Sequence, residues 1–523
     1  MTTSVSNGEV SALVSARPSG NPAVSSAGRT VFRIRHTLAS RFLFLTICVA
    51  IVLSALAYGT VHYWALELFN LGALTIIVLW VVDGWNLGAF RVSRSLLQFP
   101  LLGALVLGIV QLLPFRGGGN NALAATSLTR TLSLDPYSTR LVLVQLSSLL
   151  IYFAATLVYT DTPHRLRLLA RTIIIFGCCL AIFGLTQSIA SPTRVYWIRE
   201  LTQSTSFGPF INRHHFAGYM ELTISLPLGL LFANAVEKEK RLLYLFAAGL
   251  MGVALVMTGS RGGIIGLIAQ ILFFAVATSV KRGKQAKKEK AKSSRIRSYG
   301  IRAGLAVALM VGLFVGVALL GSESLTRIID SVNTDDPTTG RAHFWSVTVE
   351  IIKKHPIVGT GLGAFGVVYS RYDSRNGLYR LEQAHNDYLQ VLSDGGIIGA
   401  GLALFFVTVL FRKAFSRSNS QDDFRRGIAI SALGGCFAVL VHSFFDFTLH
   451  TTSNALLFLV LAALATLNGR VEEGQRRLRR RSRQAPTVST EDRLSIEHPS
   501  RAARPGNPLE TSSHVNQPSA DVV

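Results

Sequence analysis

The apolar residues of this chain come in long blocks rather than in the 3.6-residue rhythm of an amphipathic helix. About twelve runs reach the roughly 17–25 residues needed to cross a bilayer. They lie near 42–60, 65–82, 98–115, 140–160, 168–190, 216–235, 242–259, 263–280, 303–320, 396–411, 427–447 and 452–468. The pattern predicts an all-α polytopic membrane protein.

The polar stretches between the runs set the orientation. With the N-terminus inside, the inside turns hold Arg91 and Arg94, then Arg165 and Arg167, then Lys238, Lys240 and Arg241. They continue with the cluster from Lys281 to Arg302, then Arg412, Lys413 and Arg417, then the tail from Arg470. The outside turns near 61–64 and 448–451 carry no Lys or Arg. This agrees with the positive-inside rule at each inside turn and places both termini in the cytoplasm.

Three outside loops are long: 116–139, 191–215 and, longest, 321–395. In the last, Arg341 to His355 predicts an amphipathic helix with Phe344, Trp345, Val349 and Ile352 on or near one face, stopped by Pro356. Such a helix could lie along the membrane interface with Trp345 at headgroup depth. The membrane domain is expected over 42–470. Residues 1–41 read as a disordered cytoplasmic tail, Ser/Ala/Gly-rich, with Arg29, Arg33, Arg35 and Arg41 before the first run. That run begins too late for a cleavable signal peptide. Residues 471–523 read as a second disordered tail, basic and then Ser/Pro-rich.

Composition sharpens this picture. Of 523 residues only 15% are charged, well below the ~25% of soluble domains. The net charge of +23 suggests nucleic acid at first. Its basic residues sit beside apolar runs and in the tail, which points to anionic lipid headgroups and excludes nucleic acid as the expected partner. Cys48, Cys178, Cys179 and Cys436 all lie within apolar runs and form no CxxC pair, so they read as buried small hydrophobes. No repeat of 20–50 residues is visible, which excludes a solenoid.

Candidate chemistry gathers at the outside turns. Arg261 lies in Met257-Thr-Gly-Ser-Arg-Gly-Gly263 between two runs, against the positive-inside bias. It either snorkels to headgroup phosphate or aims a fork of donors at a diphosphate. Arg341 opens the amphipathic helix, where the helix dipole disfavours a cation. An anion held jointly by Arg341 and the terminal amides would account for it. Asn212, Arg213, His214 and His215 stand at the mouth of a run and suit sugar hydroxyls or phosphate. The adjacent histidines face different ways on a helix and make a poor metal pair. His442 and Asp446, four apart, would share a helical face as a structural pair or as part of a site. Gly359-Thr-Gly-Leu-Gly-Ala-Phe-Gly366 lacks a flanking βαβ unit and reads as a turn with close backbone approach. His385-Asn386-Asp387 reads as a helix start capped by Asn386 or Asp387, ended by Gly395-Gly396. His385 can hold or pass a proton near neutral pH.

Together these pieces resemble the O-antigen ligase / O-antigen polymerase (Wzy-type) superfamily of membrane glycosyltransferases. The resemblance rests on Ser260-Arg261-Gly262, on Gly340-Arg341 with its Trp-containing helix and Pro356–Gly363, and on His385-Asn386, then nine intervening residues, then Gly396-Ile-Ile-Gly399. The hallmark region is about 245–410. The resemblance implies a C-type glycosyltransferase fold in the bacterial inner membrane. It implies a donor glycan on undecaprenyl diphosphate and transfer, with inversion and without metal or cofactor, to a hydroxyl of an acceptor glycan or lipid A–core. By position, Arg261 and Arg341 become the diphosphate-binding arginines and His385 the general base, with Asn212, Arg213, His214, Asn386 and Asp446 as further glycan- or phosphate-binding candidates. Ligase and polymerase share this donor chemistry, so both remain open. A twelve-helix secondary transporter is the rival from another class. It would place its charges at the bilayer midplane, whereas these gather at the outside turns.

Overall fold

The computed structural model describes residues 36–115, 130–191, 193–201, 206–286, 340–373, 381–420 and 422–467. The expected run 303–320, most of the basic cluster before it, both tails and part of each long loop lie outside the described residues.

Eleven expected runs fall on helices: α1 Leu38–Leu56, α2 Tyr63–Leu87, α3 Gln98–Leu112, α4 Pro136–Tyr159, α5 Pro163–Ala190, α6 Arg213–Phe232, α7 Arg241–Met257, α8 Arg261–Ala286, α11 Asp387–Arg417, α12 Asp423–His442 and α13 Thr452–Thr466. Two shorter helices, α9 Arg341–Lys354 and α10 Phe365–Tyr372, precede α11. The described strands are two-residue pairs, β1 Pro114–Phe115 with β2 Arg130–Thr131 and β3 Arg194–Val195 with β4 Arg199–Glu200, both antiparallel. The protein is an all-α polytopic membrane protein. Among the described residues, eight helices are long and apolar enough to cross a membrane. α3 and α13 are shorter apolar helices.

Helix α6 sits at the centre, packed on α7, α8, α12 and α13. Nearly its whole surface is buried. A helix with no lipid-facing side can carry Glu221, Thr223 and Ser225 against protein partners, a composition that lipid would penalise. The apolar side chains of α2 (Leu68, Leu71, Leu74, Val78) and of the second half of α11 (Ile397, Leu404) face outward instead, as lipid-facing surface does.

The bundle has two chemically different ends. At one, Arg165 donates to Tyr159 O and Ser40 O, each at 3.0 Å. Arg91 pairs with Asp161 at 3.3 Å. Tyr159 and Thr37 both donate to the buried carboxylate of Asp83. Arg425, fully buried, caps the end of α13 through Leu464 O and Leu467 O. This end carries the arginine-rich turns. The other end carries Ser260, Arg341, His385 and Asp446.

Three elements differ from the sequence expectation. Gly395-Gly396 does not end a helix: α11 runs through it, with Gly396 in a left-handed kink (φ 60°, ψ −159°). The glycine-rich turn fills the gap. Thr360 N–H and Gly361 N–H donate to Ser393 O and Asp394 O (2.9 and 3.1 Å), and Ile397 N–H and Ile398 N–H donate to Pro356 O and Ile357 O (2.8 and 3.3 Å). Gln111 of α3 locks the junction, donating to Asp394 O at 2.9 Å and Val358 O at 2.6 Å. The close backbone approach read from Gly359–Gly366 is therefore present, and its partner is the broken helix. In α9 the buried stripe is Phe344, Val347, Thr348 and Ile351, with Val349 exposed. α9 packs on α10 and α11, so its apolar face is covered by protein. Finally, Cys48 and Cys436 are buried as expected, but Cys179 is exposed on the outer surface of α5.

Candidate active site

The centre of the site is the carboxylate of Asp446, 1% exposed, in the turn after α12. Its Oδ1 lies 3.3 Å from His385 Nδ1 and accepts from Phe447 N–H at 2.9 Å. Its Oδ2 lies 3.4 Å from an Arg341 terminal nitrogen and 3.6 Å from His214 Nδ1. Burial alone would raise this acid. His214 when it is protonated, the hydrogen bond from His385 and the Arg341 guanidinium outweigh burial and hold its pKa well below the ordinary carboxylate value of 3.8. Asp446 is therefore ionised throughout the neutral range.

This arrangement explains the cation at the head of α9. Arg341 also donates to Phe445 O at 2.6 Å. The anion that offsets the unfavourable helix dipole is at least in part the chain's own Asp446.

His385 is held in a left-handed backbone conformation, φ 52°, which costs a non-glycine residue about 1–3 kcal/mol unless its surroundings impose it. The surroundings here are specific. Trp345 Nε1–H donates to Ala384 O at 3.1 Å, and Ala384 N–H donates to Gln390 Oε1 at 2.7 Å. On the other side Asn386 caps α11, its side-chain oxygen accepting from Tyr388 N–H and Leu389 N–H at 3.0 and 3.1 Å. The ring of Phe447 meets the His385 imidazole edge-on at 4.8 Å between centroids.

Asn386 and Asp387 also fix the turn that carries Asp446. Asn386 donates to Phe444 O at 3.0 Å. Asp387 N–H donates to Ser443 O at 3.0 Å, and its carboxylate accepts from Ser443 Oγ at 2.7 Å and lies 2.7 Å from His450 Nδ1. The tripeptide thus has divided tasks: the histidine faces the carboxylate, and the next two residues hold the carboxylate's loop.

The other sequence candidates fall around this core. His214 lies beside Asp446 and 2.9 Å from Ser260 Oγ. Arg261 opens α8 one residue after Ser260, so both arginines begin helices at this end of the bundle. Asn212 is the N-cap of α6, accepting from His214 N–H at 2.9 Å. Its carbonyl oxygen is thereby committed to the helix. Arg213 lies at the Gly259 turn. The expected His442–Asp446 side-chain pair is absent from the described contacts. α12 ends at His442; Asp446 N–H still donates to His442 O at 3.2 Å, but the His442 imidazole turns to Glu221 at 3.1 Å and the Asp446 carboxylate turns to His385 and Arg341. Sequence reasoning missed Trp345 as the anchor of the His385 loop, having placed it in the headgroups. It also missed Glu221, although a lone carboxylate in an apolar run was the available signal.

Residues 246–406 match the family model described as O-antigen ligase. The match covers less than half of the chain, and over those residues the chain is similar to the O-antigen ligase/Wzy superfamily, which supports that class. It is similar to an O-antigen ligase of Pseudomonas aeruginosa, 27% identical over 281 residues, an alignment that covers 52% of this chain and 57% of the relative. The chain therefore spans little more than half the length of that protein.

Proposed function

We propose that this protein is an inner-membrane glycosyltransferase of surface polysaccharide biosynthesis. It would transfer a glycan from undecaprenyl diphosphate to a hydroxyl of lipid A–core at the periplasmic face. The observation that carries this reading is the single buried carboxylate shared by His385 and Arg341. Asp446 accepts the Nδ1 proton of His385, which leaves Nε2 with a lone pair for an incoming hydroxyl, the orienting logic of a carboxylate–histidine pair. The bond between the anomeric carbon and the diphosphate oxygen breaks, and the electron pair leaves with the diphosphate. The acceptor oxygen bonds the same carbon from the opposite face, and its proton moves to His385 Nε2. Proton transfer of this kind contributes about 10²–10⁴-fold. Charge develops on the departing diphosphate, where Arg261 and Arg341 offer guanidinium forks and the N-termini of α8 and α9 offer amides. The lipid tail would lie between helices, which accounts for a site at one end of the bundle.

The test is a deletion strain whose lipid-linked and surface glycans are separated by size. Long chains accumulating on the lipid carrier, with none on lipid A–core, support the ligase. Loss of long chains while single repeats still reach the surface would replace it with the polymerase reading. Unchanged glycans on both carriers would overturn glycosyl transfer altogether.

A further inference from the structure

Behind Asp446 the polar contacts do not stop. His214 Nδ1 meets Ser260 Oγ at 2.9 Å, and Ser260 Oγ faces His442 Nε2 at 3.5 Å. His442 Nδ1 lies 3.1 Å from Glu221 Oε1, and both side chains of that last pair are 0% exposed. Glu221 stands two turns into α6; the two side chains approach at ion-pair distance, and neither carboxylate oxygen of Glu221 nor Nδ1 of His442 has another partner with hydrogen-bond geometry among the described residues. The glycines of α8 clear the space: a Cβ on Gly262 would sit 2.8 Å from His442 Nε2, and one on Gly266 would collide with Glu221. Apolar side chains of similar volume would fill this position at no cost, and often with a gain, in stability.

We propose that Glu221 and His442 are positioning residues for the transfer step, the inner half of a polar chain that runs through Ser260 and His214 to Asp446 and His385. The inference rests on the glycosyl-transfer reading above. Whether the proton between them rests on His442 Nδ1 or on Glu221, the ring is left with Nε2–H as its donor toward Ser260. Ser260 Oγ then accepts from His442 Nε2–H and donates its own proton to His214 Nδ1. His214 is thereby fixed with its proton on Nε2, turned away from Asp446. The carboxylate is left to Arg341 and to the Nδ1–H of His385, which holds the base in its working tautomer. The charged and titratable groups around the chain are Arg213, His214 and His215 on α6, Arg261 on α8, Arg341 on α9, His385 and Asp387 at the start of α11, and Asp446. None replaces Glu221 on the Nδ1 side of His442.

The experiment is transfer of a lipid-linked glycan by purified full-length protein across pH, for wild type, Glu221→Gln, Glu221→Asp and His385→Ala. Loss of the carboxylate removes the partner that shares this proton with His442. Glu221→Gln should lower kcat about tenfold near pH 8 and much less near pH 6, with KM for the donor within about twofold. The alkaline limb of its profile should move to lower pH, and Glu221→Asp should recover part of the loss. A Glu221→Gln profile that superimposes on wild type overturns the proposal. Glu221→Leu/His442→Phe guards against misfolding. It should melt no lower than wild type yet lack the wild-type alkaline limb, and a folded double variant with wild-type kcat and profile also overturns the proposal. His385→Ala separates the two levels. If it retains transfer, the base assignment fails. If it abolishes transfer while Glu221→Gln is normal, only the positioning role fails.

Discussion

At the scale of single residues, His385 depends on neighbours that do not touch a substrate. Trp345→Phe removes the indole donor to Ala384 O and little else, so it should reduce transfer by about tenfold, the order expected when a base is misplaced rather than lost. The check is kcat at saturating donor with the protein amount in membranes held equal. Asp446→Asn keeps the shape but removes the charge that Arg341 and His385 share, and should cost more than Trp345→Phe. The His450–Asp387 contact adds a pH signature. Burial disfavours the His450 cation, but the hydrogen bond and charge of Asp387 outweigh it and raise its pKa above the ordinary 6.5. A raised histidine stabilises the fold fully below its unfolded value and loses that contribution as pH rises through the folded value. The melting temperature in detergent should therefore fall on the alkaline side of neutrality by more in wild type than in His450→Gln. The effect should be modest, because 32% of that side chain is exposed. Arg261 and Arg341 stood out in the sequence as cations at expected outside turns and His385 by resemblance, and the structure places all three at one end of the bundle. The partner of Asp446 was not legible there, because a four-residue spacing brings two backbones into register without fixing where the side chains turn, and His442 turns to Glu221 while Asp446 turns to His385 and Arg341.

At the scale of elements, the junction between the glycine-rich turn and α11 holds the site rigid. The sequence contained both halves, the turn at 359–366 and the Gly395-Gly396 pair, but it read the pair as an end. A helix can continue through a glycine kink when another segment supplies the missing donors and acceptors, and that segment is 356–361. No local pattern announces such a docking. Gly396→Ala places a Cβ against Ile357 O and 2.7 Å from Gly359 N, besides the left-handed strain of about 1–3 kcal/mol. It should lower the melting temperature in detergent and abolish transfer together. α9 carries the second element-scale lesson. Its amphipathic period was clear, and the cover over its apolar face was assigned to lipid when it is in fact α10 and α11. Periodicity reports that a face is buried and is silent about what buries it.

At the scale of the whole molecule, the apolar blocks predicted eleven of the described helices, because length and hydropathy are what a bilayer selects. They did not reveal that α6 is wrapped by protein, since a buried helix and a lipid-facing one are both apolar on average. Two differently charged ends follow from the alternation of helices, with the arginine-rich turns at one and the site at the other. The orientation proposed for them predicts that a cysteine at Ile198, exposed near the site end, reacts with an impermeant maleimide in intact spheroplasts when the exposed native Cys179 is replaced by Ala. A cysteine at Lys238 should react only after the membrane is opened. The reverse pattern would place the site in the cytoplasm and remove the proposed donor face. The proposed activity depends on the His385–Asp446–Arg341 cluster acting on a lipid diphosphate. The most direct measurement is single-turnover release of undecaprenyl diphosphate by purified wild type and by His385→Ala, with defined donor and acceptor. Wild type should release it in step with acceptor glycosylation, and His385→Ala should do neither while still binding donor. Coupled release and transfer by His385→Ala at the wild-type rate would contradict the account.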